Sequence, residues 1–589
     1  MKRKQDEIKS KKVEKMETQL LVAGGGTGGI AAAIQAARLG IDVVLVERTS
    51  WLGGMLTAAG VSCIDGNYEL PSGIFGEFRQ RIFDYYGGAD KVKTGWVSHV
   101  NFEPHVGNNI LHDMAKNYSN LTIYKNFIFK NLTLNNNKIT EVIFTQKNET
   151  TISIKPEIVI DTTEYGDLAA AAGCQYDIGL DNSDHEYETP AIQDITWVAI
   201  LQKYDDEVDR TIAKPDSYDP AQFDGCCAEV ATQKHSCDIS AKRMMTYGQL
   251  PNNKYMLNWP RQGNDYFTNI LEKNEQERHK MWQKAREFTL NMIYFLQNEM
   301  GYKNIGLADE FPDNQGLALI PYNRESRRFY GLQRMRVDHI LHPYQFDYYQ
   351  SGIAVGDYPL DHHHDRNPEE VEEEYPPIPS YNVPYGCLVS QDVGNLLLGE
   401  KNISVSHMVN GTTRLQPVVM QLGQAAGAAA YLSIQKSTLP GKIDIRQLQQ
   451  ILLDNGSYLM PFIDVDKKDS AFEAVQKAGV TGLFQGEGVP YKWANKTYFH
   501  PDKEFSRQDL KVLAKVLGIN EKVSLNFDDK ESIKLEKIFD LISTQYQIDI
   551  SKISKVNKEQ PITRKNLALL LDKNLQLFDK FKIFLNEEK

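Results

Sequence analysis

The segment from Leu20 to Glu47 constrains the fold of this chain more than any other feature. It reads LLVAGGGTGGIAAAIQAARLGIDVVLVE. An apolar run leads into a glycine-rich turn, an alanine-rich stretch follows, and a second apolar run ends in an acid. This order predicts a βαβ unit whose first turn carries the G-x-G-x-x-G pattern typical of dinucleotide-binding proteins.

The residues of this pattern each have a physical role in binding a dinucleotide. Gly24 allows the tight turn from strand to helix, Gly26 lets a pyrophosphate approach bare backbone, and Gly29 lets the helix pack closely on the strand. The helix N-terminus offers free N–H groups and the positive end of its dipole to the phosphates. Glu47 closes the second strand, in the expected place to bind ribose hydroxyls.

Composition limits the partners and the location that we expect. The formal net charge of −12 argues against nucleic acid as a main partner. No apolar run approaches the roughly 18 residues that span a bilayer. Residues 1–17 are basic and polar, without the apolar segment of a signal peptide. We therefore expect a disordered leader, no membrane span and a cytoplasmic protein. If the true start is Met16, the residues before it would look like such a leader.

The pattern of apolar residues changes along the chain and predicts four regions after the leader. Residues 18–185 are predicted to form the first part of an α/β nucleotide-binding domain, in which the alternating run 121–160 predicts a hairpin or β-meander. Residues 186–379 are predicted to form an inserted substrate domain, and residues 380–440 return to the first domain. Residues 441–589 are predicted to form a separate helical domain.

Ordered segments between residues 18 and 435 resemble the FAD-dependent oxidoreductase family that contains many bacterial proteins labelled xanthan-lyase-like. The resemblance implies a fold of the glutathione-reductase type. Its class is α/β, with a three-layer ββα Rossmann-like FAD domain, an inserted α+β substrate domain and, here, a mainly helical C-terminal domain. The matching segments are GGGTGGIAAAIQAARLG, LGGMLT at 52–57, FEPHV at 102–106, IDTTEYGDLAAAAG at 160–173, RESRRFYG at 324–331, DYPLDHH at 357–363 and the run 395–430.

The resemblance implies FAD as the cofactor of the βαβ unit. The second glycine-rich segment and the helix start at 411–417 favour a flavin independently, because a nicotinamide dinucleotide would not need these extra backbone surfaces. A helix N-terminus beneath the flavin would stabilise negative charge at N1 and C2=O on reduction. The residues predicted to contact FAD are Gly24, Gly26, Thr27, Gly28, Gly29, Glu47, Arg48, Gly53, Gly54, Met55, Ile128, Thr162, Gly399, Glu400, Arg414 and Gln416.

One matching segment departs from the family pattern. In the segment at 160–173, some members of the family carry Thr-Tyr-Glu-Gly-Asp after the strand. In this chain the two middle residues are exchanged, so that Glu164 comes before Tyr165. The contacts of these two residues are therefore left open by the resemblance.

The C-terminal region resembles surface-layer-homology repeats. The matching pieces are residues 462–465, 478–482, 499–501 and 505–509, and residues 561–564 look like the start of a second, degraded copy. Such modules can bind cell-wall glycans in secreted proteins. Because no signal peptide precedes the chain, we favour a structural or homo-oligomerisation role.

Three side chains are candidates for catalysis. His407 could act as a general base or hydride-transfer partner at the flavin edge, or it could simply pack in the core. Arg324 could clamp a carboxylate or fix a sugar hydroxyl, or it could form an internal ion pair. His362 matches the family position in LDHHHD. We expect no metal there, because adjacent histidines do not easily share one ion without a tight loop, and none at the cysteines, which form no C-x-x-C pair.

The leading hypothesis is an FAD-dependent oxidoreductase that transfers a hydride between a small organic substrate and flavin N5, with a carbohydrate or polyol suggested by the family. One alternative is a reductase of a double bond. Another, from a different class, is a glycan-binding protein with a vestigial flavin domain. The sequence contains no second complete G-x-G-x-x-G unit, so we expect no built-in NADPH site, and the electron acceptor or donor stays undetermined.

The purified protein is expected to be yellow and to release FAD, not FMN, on denaturation. A Gly26→Val variant should be colourless, because the new side chain would occupy the position of the pyrophosphate. Chromatography of the released cofactor and the visible spectrum check both statements. Recovery of NAD alone would contradict them.

Overall fold

The computed structural model describes residues 13–146, 150–181, 183–184, 191–312, 316–368, 374–518, 533, 535, 538 and 562–585. Residues 1–12 of the predicted leader and the predicted boundary at residues 185–186 lie outside this part of the chain. Residues 13–17, also assigned to the leader, begin the first strand instead, since they pair in register with residues 151–155. The sequence did not predict this strand because its partner, β6, comes from a distant part of the chain.

The βαβ unit forms where the sequence predicts it. Strand β1 (Val13–Ala23) leads into helix α1 (Thr27–Arg38), and β2 (Val43–Glu47) pairs parallel to β1 with Leu20 opposite Val43. The end of β1, nearly all of α1 and the whole of β2 are buried. The continuous apolar pattern of these strands is typical of a parallel sheet covered on both faces.

The main sheet extends on both sides of this unit. Its strands follow the order β3-β2-β1-β6-β5-β4, and β18 also pairs with β6. The predicted meander is formed by β4, β5 and β6, while the preceding residues make a separate parallel edge strand on β2. The added strands are β3 (Leu121–Lys125), β4 (Phe127–Asn135), β5 (Lys138–Gln146), β6 (Thr151–Asp161) and β18 (Leu396–Leu398).

Helix α9 (Gln416–Gln435) packs directly against α1. A Cβ atom on Gly423 of α9 would lie only 1.9 Å from the carbonyl oxygen of Gly28, and one on Gly427 would lie 2.3 Å from that of Ala32. The two helices therefore touch through their backbones. The helices of this layer and its surroundings are α2 (Gly73–Tyr86), α3 (Pro104–Ala115), α4 (Asp167–Ala171), α8 (His407–Thr413) and α9 (Gln416–Gln435).

The inserted region is built around its own hydrophobic core, which contains Trp197, Trp259 and Trp282. Trp51 and Met55, from the second glycine-rich segment, also lie in this core and join the two parts of the molecule. The elements here are β7 (Tyr176–Asp177), β8 (Ile195–Thr196), β9 (Ala199–Lys203), α5 (Ala241–Met245), β10 (Gln249–Leu250), β11 (Lys254–Leu257), β12 (Asp265–Tyr266), α6 (Glu275–Asn298), β13 (Ile305–Leu307), β14 (Tyr322–Asn323), β15 (Arg328–Phe329) and α7 (Val337–Leu341).

The described part of the C-terminal region packs as an extension of the main domain. Leu459 and Phe462 belong to the same hydrophobic core as the main sheet, and the Gly73 N–H donates a hydrogen bond to the Gly456 carbonyl at 2.9 Å. The sequence predicted that residues 441–589 form a separate domain, because the short motifs of this region do not reveal the shared core. The remaining elements are β16 (Gly352–Gly356), β17 (Tyr381–Pro384), α10 (Ile445–Asp454), α11 (Phe472–Val480), β19 (Glu487–Val489), β20 (Lys496–Tyr498), α12 (Arg507–Val516), α13 (Arg564–Leu575) and α14 (Leu577–Lys580).

Among the described residues, none of the helices combines the length and the apolar composition needed to cross a bilayer.

A substitution in the shared core should destabilise the whole protein. Leu459 is fully buried, so Leu459→Ala should lower the free energy of unfolding by about 2–5 kcal/mol. Tyr491→Ala is the control, since that ring is 54% exposed and its loss should cost under about 0.5 kcal/mol. The midpoint of thermal unfolding by circular dichroism and the midpoint of cofactor release should both fall in Leu459→Ala. An unchanged midpoint of cofactor release would contradict the shared core.

Candidate functional site

The glycine turn after β1 lies directly against the end of β6. Gly24 has a positive φ of 105°, and a Cβ there would lie 2.2 Å from the carbonyl oxygen of Thr162. The Thr162 hydroxyl donates to the Gly24 carbonyl at 2.7 Å. Only glycine meets both demands, so the predicted tight turn is confirmed in its geometry.

The second glycine-rich segment packs backbone to backbone on the first. The Gly53 N–H donates to the Gly25 carbonyl at 2.8 Å, and the Thr27 hydroxyl donates to the Gly53 carbonyl at 2.8 Å. A Cβ on Gly54 would lie 2.8 Å from the Cα of Gly26. The two segments therefore form one surface of bare backbone at the N-terminus of α1.

A carboxylate stands at the end of β2, beside this surface. Glu47 is buried, and its two oxygens accept hydrogen bonds from the N–H groups of Gly25 at 2.6 Å and Thr49 at 2.7 Å. Burial raises the pKa of Glu47 despite these bonds. The next residue, Arg48, pairs with Glu275 at 2.6 Å.

An open cleft runs from the glycine turn to the start of β4. The structure thus brings Ile128, predicted to contact FAD, to the same cleft as the glycine turn and the acid of β2. The cleft is lined by Gly24, Gly26, Val46, Glu47, Arg48, Gly54, Phe127, Ile128, Phe129, Phe144, Thr162, Thr163, Glu164, Asp167, Glu275 and Ile320.

A second carboxylate reaches the N-terminus of α1 from the end of β18. Oε2 of Glu400 accepts a hydrogen bond from the Gly28 N–H at 2.9 Å, while Oε1 is buried, lies 3.7 Å from Nζ of Lys401 and makes no hydrogen bond with a described residue. Burial raises the pKa of Glu400 to about 7, although the charge of Lys401 opposes this shift. A Cβ on Gly28 would lie 1.8 Å from the Gly399 carbonyl, so these segments also touch through backbone.

The two residues that depart from the family pattern have separate structural partners. Glu164 pairs with the buried ammonium of Lys401 at 2.8 Å. The Tyr165 hydroxyl accepts a hydrogen bond from the indole N–H of Trp282 at 3.2 Å. Glu164 faces the nucleotide cleft, and Tyr165 anchors the inserted region to the end of β6.

A larger cavity of about 790 Å³ lies between the main domain, the inserted region and the C-terminal region. Three exposed aromatic rings line it, Tyr68, Trp96 and Trp493. Trp493 packs against Tyr358 with ring centroids 5.6 Å apart and the ring planes tilted by 38°. All three parts of the chain therefore shape one pocket with aromatic walls.

One group of charges at this cavity is centred on His363. Its Nδ1 lies 2.8 Å from Asp265 and its Nε2 lies 3.5 Å from Asp361. Burial and the charge of Arg324 act to lower the pKa of His363, but Asp361 and Asp265 outweigh them and the pKa is raised. Sequence analysis missed this histidine.

Arg324 and Arg414 are counter-ions of the same group. Arg324 donates to Asp265 at 2.9 Å and to the Asp194 carbonyl at 2.8 Å, which agrees with the ion-pair alternative for this residue. Arg414 donates to Asp361 at 2.8 Å and to the Tyr322 hydroxyl at 2.6 Å.

Asp65 is one of two acids near His363 whose ionisation is disfavoured, the other being Asp194. Burial and then the charge of Asp361 raise the pKa of Asp65 to about 7. Its Oδ1 is buried and makes no hydrogen bond with a described residue. Its backbone N–H donates to the side-chain oxygen of Gln416 at 3.3 Å, which places it beside the start of α9.

The LDHHHD segment divides its histidines between two sides. His363 faces the two aspartates, whereas His362 and His364 lie near His407, with ring centroids 4.5 Å and 5.5 Å from it. His407 is fully buried at the start of α8, and His362 lines the large cavity. The expectation concerned adjacent histidines, whereas the two rings near His407 belong to alternate residues, His362 and His364, a spacing that is visible in the sequence.

This geometry defines a class of protein, a dinucleotide-binding enzyme with a second, larger pocket. The sequence matches the family described as FAD dependent oxidoreductase over residues 19–452. The chain belongs to this family. It is an oxidoreductase, and its cofactor is FAD.

Individual known proteins are similar over parts of the chain or at low identity. A stretch of 67 residues is 50% identical to the mitochondrial dihydrolipoyl dehydrogenase of Caenorhabditis elegans, which is 11% of this chain and only 13% of that protein. L-proline dehydrogenase from P. horikoshii is 12% identical, with 72% of this chain and 95% of that one covered and a TM-score of 0.31. The p-nitrophenol 4-monooxygenase PnpA from Pseudomonas putida DLL-E4 is 9% identical, with 79% and 89% covered and a TM-score of 0.30. The likeness of the C-terminal region to surface-layer-homology repeats stays a prediction.

The described residues fit FAD. Bare backbone at the N-terminus of α1 suits a pyrophosphate, and Glu47 suits ribose hydroxyls. The buried Oε1 of Glu400 offers a further polar contact at the same turn. When FAD is bound, these groups would hold its adenosine and phosphate portions.

FAD affinity is expected to fall as pH rises through about 7. An ionised Glu400 next to Gly28 would repel the pyrophosphate, so binding should take up a proton, and Kd should rise by up to about tenfold per pH unit above 7. Fluorescence titration of the FAD-free protein measures this slope. The slope should disappear in Glu400→Gln and persist in Asp357→Asn, another buried acid with a pKa of about 7 that lies outside the cleft. An unchanged slope in Glu400→Gln would assign the effect elsewhere.

Proposed function

We propose that this enzyme oxidises a hydroxylated small molecule of the carbohydrate or polyol class in the large cavity, with Asp65 removing the hydroxyl proton. Bound FAD supplies the hydride acceptor, at N5 of its ring. The observation that carries the proposal is the buried carboxyl of Asp65, which has a pKa of about 7 and lies beside the start of α9.

Asp65 has the properties that a general base needs. A base works best when its pKa lies near the operating pH, and that of Asp65 is brought there by burial and by Asp361. Its Oδ1 makes no hydrogen bond with a described residue, so a substrate hydroxyl could donate to it. Asp265 and Asp361 differ from Asp65: burial acts to raise the pKa of each, but their charged partners outweigh it and lower the pKa.

The surrounding ion pairs would keep the site rigid and balance its charge. Arg414 and Arg324 hold Asp361 and Asp265 on either side of His363. Such a fixed arrangement orients a polar substrate without the cost of reorganising side chains during the reaction. His363 carries a raised pKa and could donate a hydrogen bond to a second substrate oxygen.

The walls of the cavity support a hydroxylated substrate. Tyr68, Trp96 and Trp493 present flat apolar faces with polar edges to the opening. A sugar or polyol has apolar C–H faces and a rim of hydroxyls, which match such a surface. The volume of about 790 Å³ is within the usual range for small-molecule sites.

The reverse direction uses the same groups. Below its pKa, Asp65 carries a proton that it could give to a substrate carbon or oxygen, as a reductase of a double bond requires. The direction of electron flow therefore decides between the two enzymatic hypotheses.

Anaerobic mixing of the FAD-loaded enzyme with a panel of sugars and polyols tests the proposal. A substrate should bleach the flavin absorbance. Failure of every member, together with reoxidation of the chemically reduced enzyme by an unsaturated compound, would favour the reductase.

With a donor identified, the rate of flavin reduction should rise with pH through about 7 and then level off, because Asp65 must be ionised to accept a proton. Asp65→Asn should slow this step by about 10²–10⁴-fold and abolish the inflection while FAD stays bound. Asp357→Asn is the control, since it removes an acid that lines the cavity and whose pKa is also about 7. Equal losses in both variants would mean that the charge of the cavity, and not Asp65, is responsible.

A further inference from the structure

We propose that His362, His364 and His407 form a binding site for one divalent transition metal ion, with Zn²⁺ as the best match. One ring nitrogen from each histidine lies within 4.8 Å of the other two. Ligands of a tetrahedral zinc ion at the usual Zn–N distance stand about 3.3 Å apart. Small rotations of the three imidazoles would bring their nitrogens to this shorter spacing.

The fold brings these rings together from two separate segments. His362 and His364 alternate with His363, so both point away from the two aspartates and toward the start of α8, where His407 stands. Gly411 of α8 makes room for this contact, because a Cβ there would lie 2.3 Å from Nε2 of His362. The packing thus favours a close approach of ring to ring that a larger residue in α8 would prevent.

The outer contacts orient two of the rings as metal ligands require. A metal-bound histidine generally directs its other ring nitrogen to a carboxylate or a backbone carbonyl. Nδ1 of His407 lies 3.5 Å from the buried carboxylate of Glu325, and Nε2 of His362 lies 3.1 Å from the Met408 carbonyl. Both contacts fit this arrangement of a ligand histidine.

Glu325 is itself firmly held. It pairs with Arg328 and accepts hydrogen bonds from the N–H groups of Gly179 at 2.9 Å and Gln193 at 3.1 Å. The guanidinium of Arg328 beside it favours the ionised carboxylate. A fixed anion behind a histidine ligand raises the basicity of that ligand.

The ligand set selects the class of metal. Imidazole nitrogens suit zinc and its neighbours in the first transition row, whereas magnesium and calcium prefer oxygen. Bound there, the ion would tie the segment that carries Asp361 and His363 to α8. It would therefore fix the charged end of the large cavity, whichever substrate that cavity accepts.

A second cluster of similar composition provides a contrast. Glu103, His105 and Glu310 also lie close together. Their carboxylates share the ammonium of Lys254, at 2.8 Å and 2.7 Å. A cation is already built into this cluster, so we expect no metal there.

Metal binding to the full-length, FAD-loaded protein tests the site without use of any substrate. After treatment with a chelator, the protein is titrated with Zn²⁺, and bound metal is measured by plasma mass spectrometry. Co²⁺ added in place of Zn²⁺ should give d–d absorption bands of a nitrogen-ligated ion, read as a difference spectrum against the metal-free protein. We expect about one ion per chain.

Variants locate the ion. His364→Ala and His407→Asn should each weaken binding by at least about tenfold and remove the Co²⁺ bands, whereas His105→Asn should bind as the unmodified protein does. Because His364 is partly exposed, its variant should fold even if the buried His407 does not tolerate substitution. Absence of binding to the unmodified protein, or unchanged binding in His364→Ala, would overturn the proposal. Failure of the sugar and polyol panel would leave this result unaffected, so the two proposals are tested separately.

Discussion

The backbone contact between α1 and α9 is the constraint on which the rest of the structure depends. Glycines of α9 let the two helices approach until an added methyl group would overlap a carbonyl of α1. These helices come from opposite ends of the nucleotide-binding domain. Their contact fixes the N-terminus of α1, where the pyrophosphate turn lies, relative to the start of α9, where Gln416 holds the backbone of Asp65. One helix pair thus sets the distance between the cofactor's phosphates and the proposed base.

Burial of charge divides the acids of this enzyme into two groups. Asp265, Asp361 and Glu325 have arginine or histidine partners, and these partners lower the pKa of each acid although burial raises it. Asp65 and Glu400 lack so strong a counter-charge, and burial raises the pKa of each to about 7. The first group gives a fixed electrostatic frame. The second group changes its charge near neutral pH, and its two members stand at the cavity and at the phosphate turn.

The part of the site that the sequence predicts is the part formed by local patterns. The glycine turn, Glu47 and the glycine-rich loop at Gly53 follow from spacing within one βαβ unit, and the resemblance to a family added Glu400. All of them are brought together at one cleft and its turn. Asp65 and His363 were missed because their character comes from neighbours that are distant in sequence, such as Asp361 and Asp265. An isolated acid in a loop carries no sign that it will be buried.

The fold shows the same difference between features set by local sequence and features set by residues distant in the chain. The strands of the βαβ unit and the meander follow from apolar periodicity, whereas the first residues of β1 could not be assigned without β6 beside them. The C-terminal region read as separate because its own motifs are short and regular. Its membership of the main core depends on contacts such as that between Gly73 and Gly456, which leave no mark in either local sequence.

The position of Trp493 has a consequence for how this enzyme can diversify. Trp493 and Ala494 form one wall of the cavity, and the Asn495 N–H ties that wall to the Asp357 carbonyl at 2.7 Å. No residue predicted to contact FAD belongs to this wall. Insertions or exchanges around residue 493 can therefore reshape the pocket while the redox machinery stays intact. Selection for new substrates could act on this wall and leave the nucleotide-binding domain unchanged.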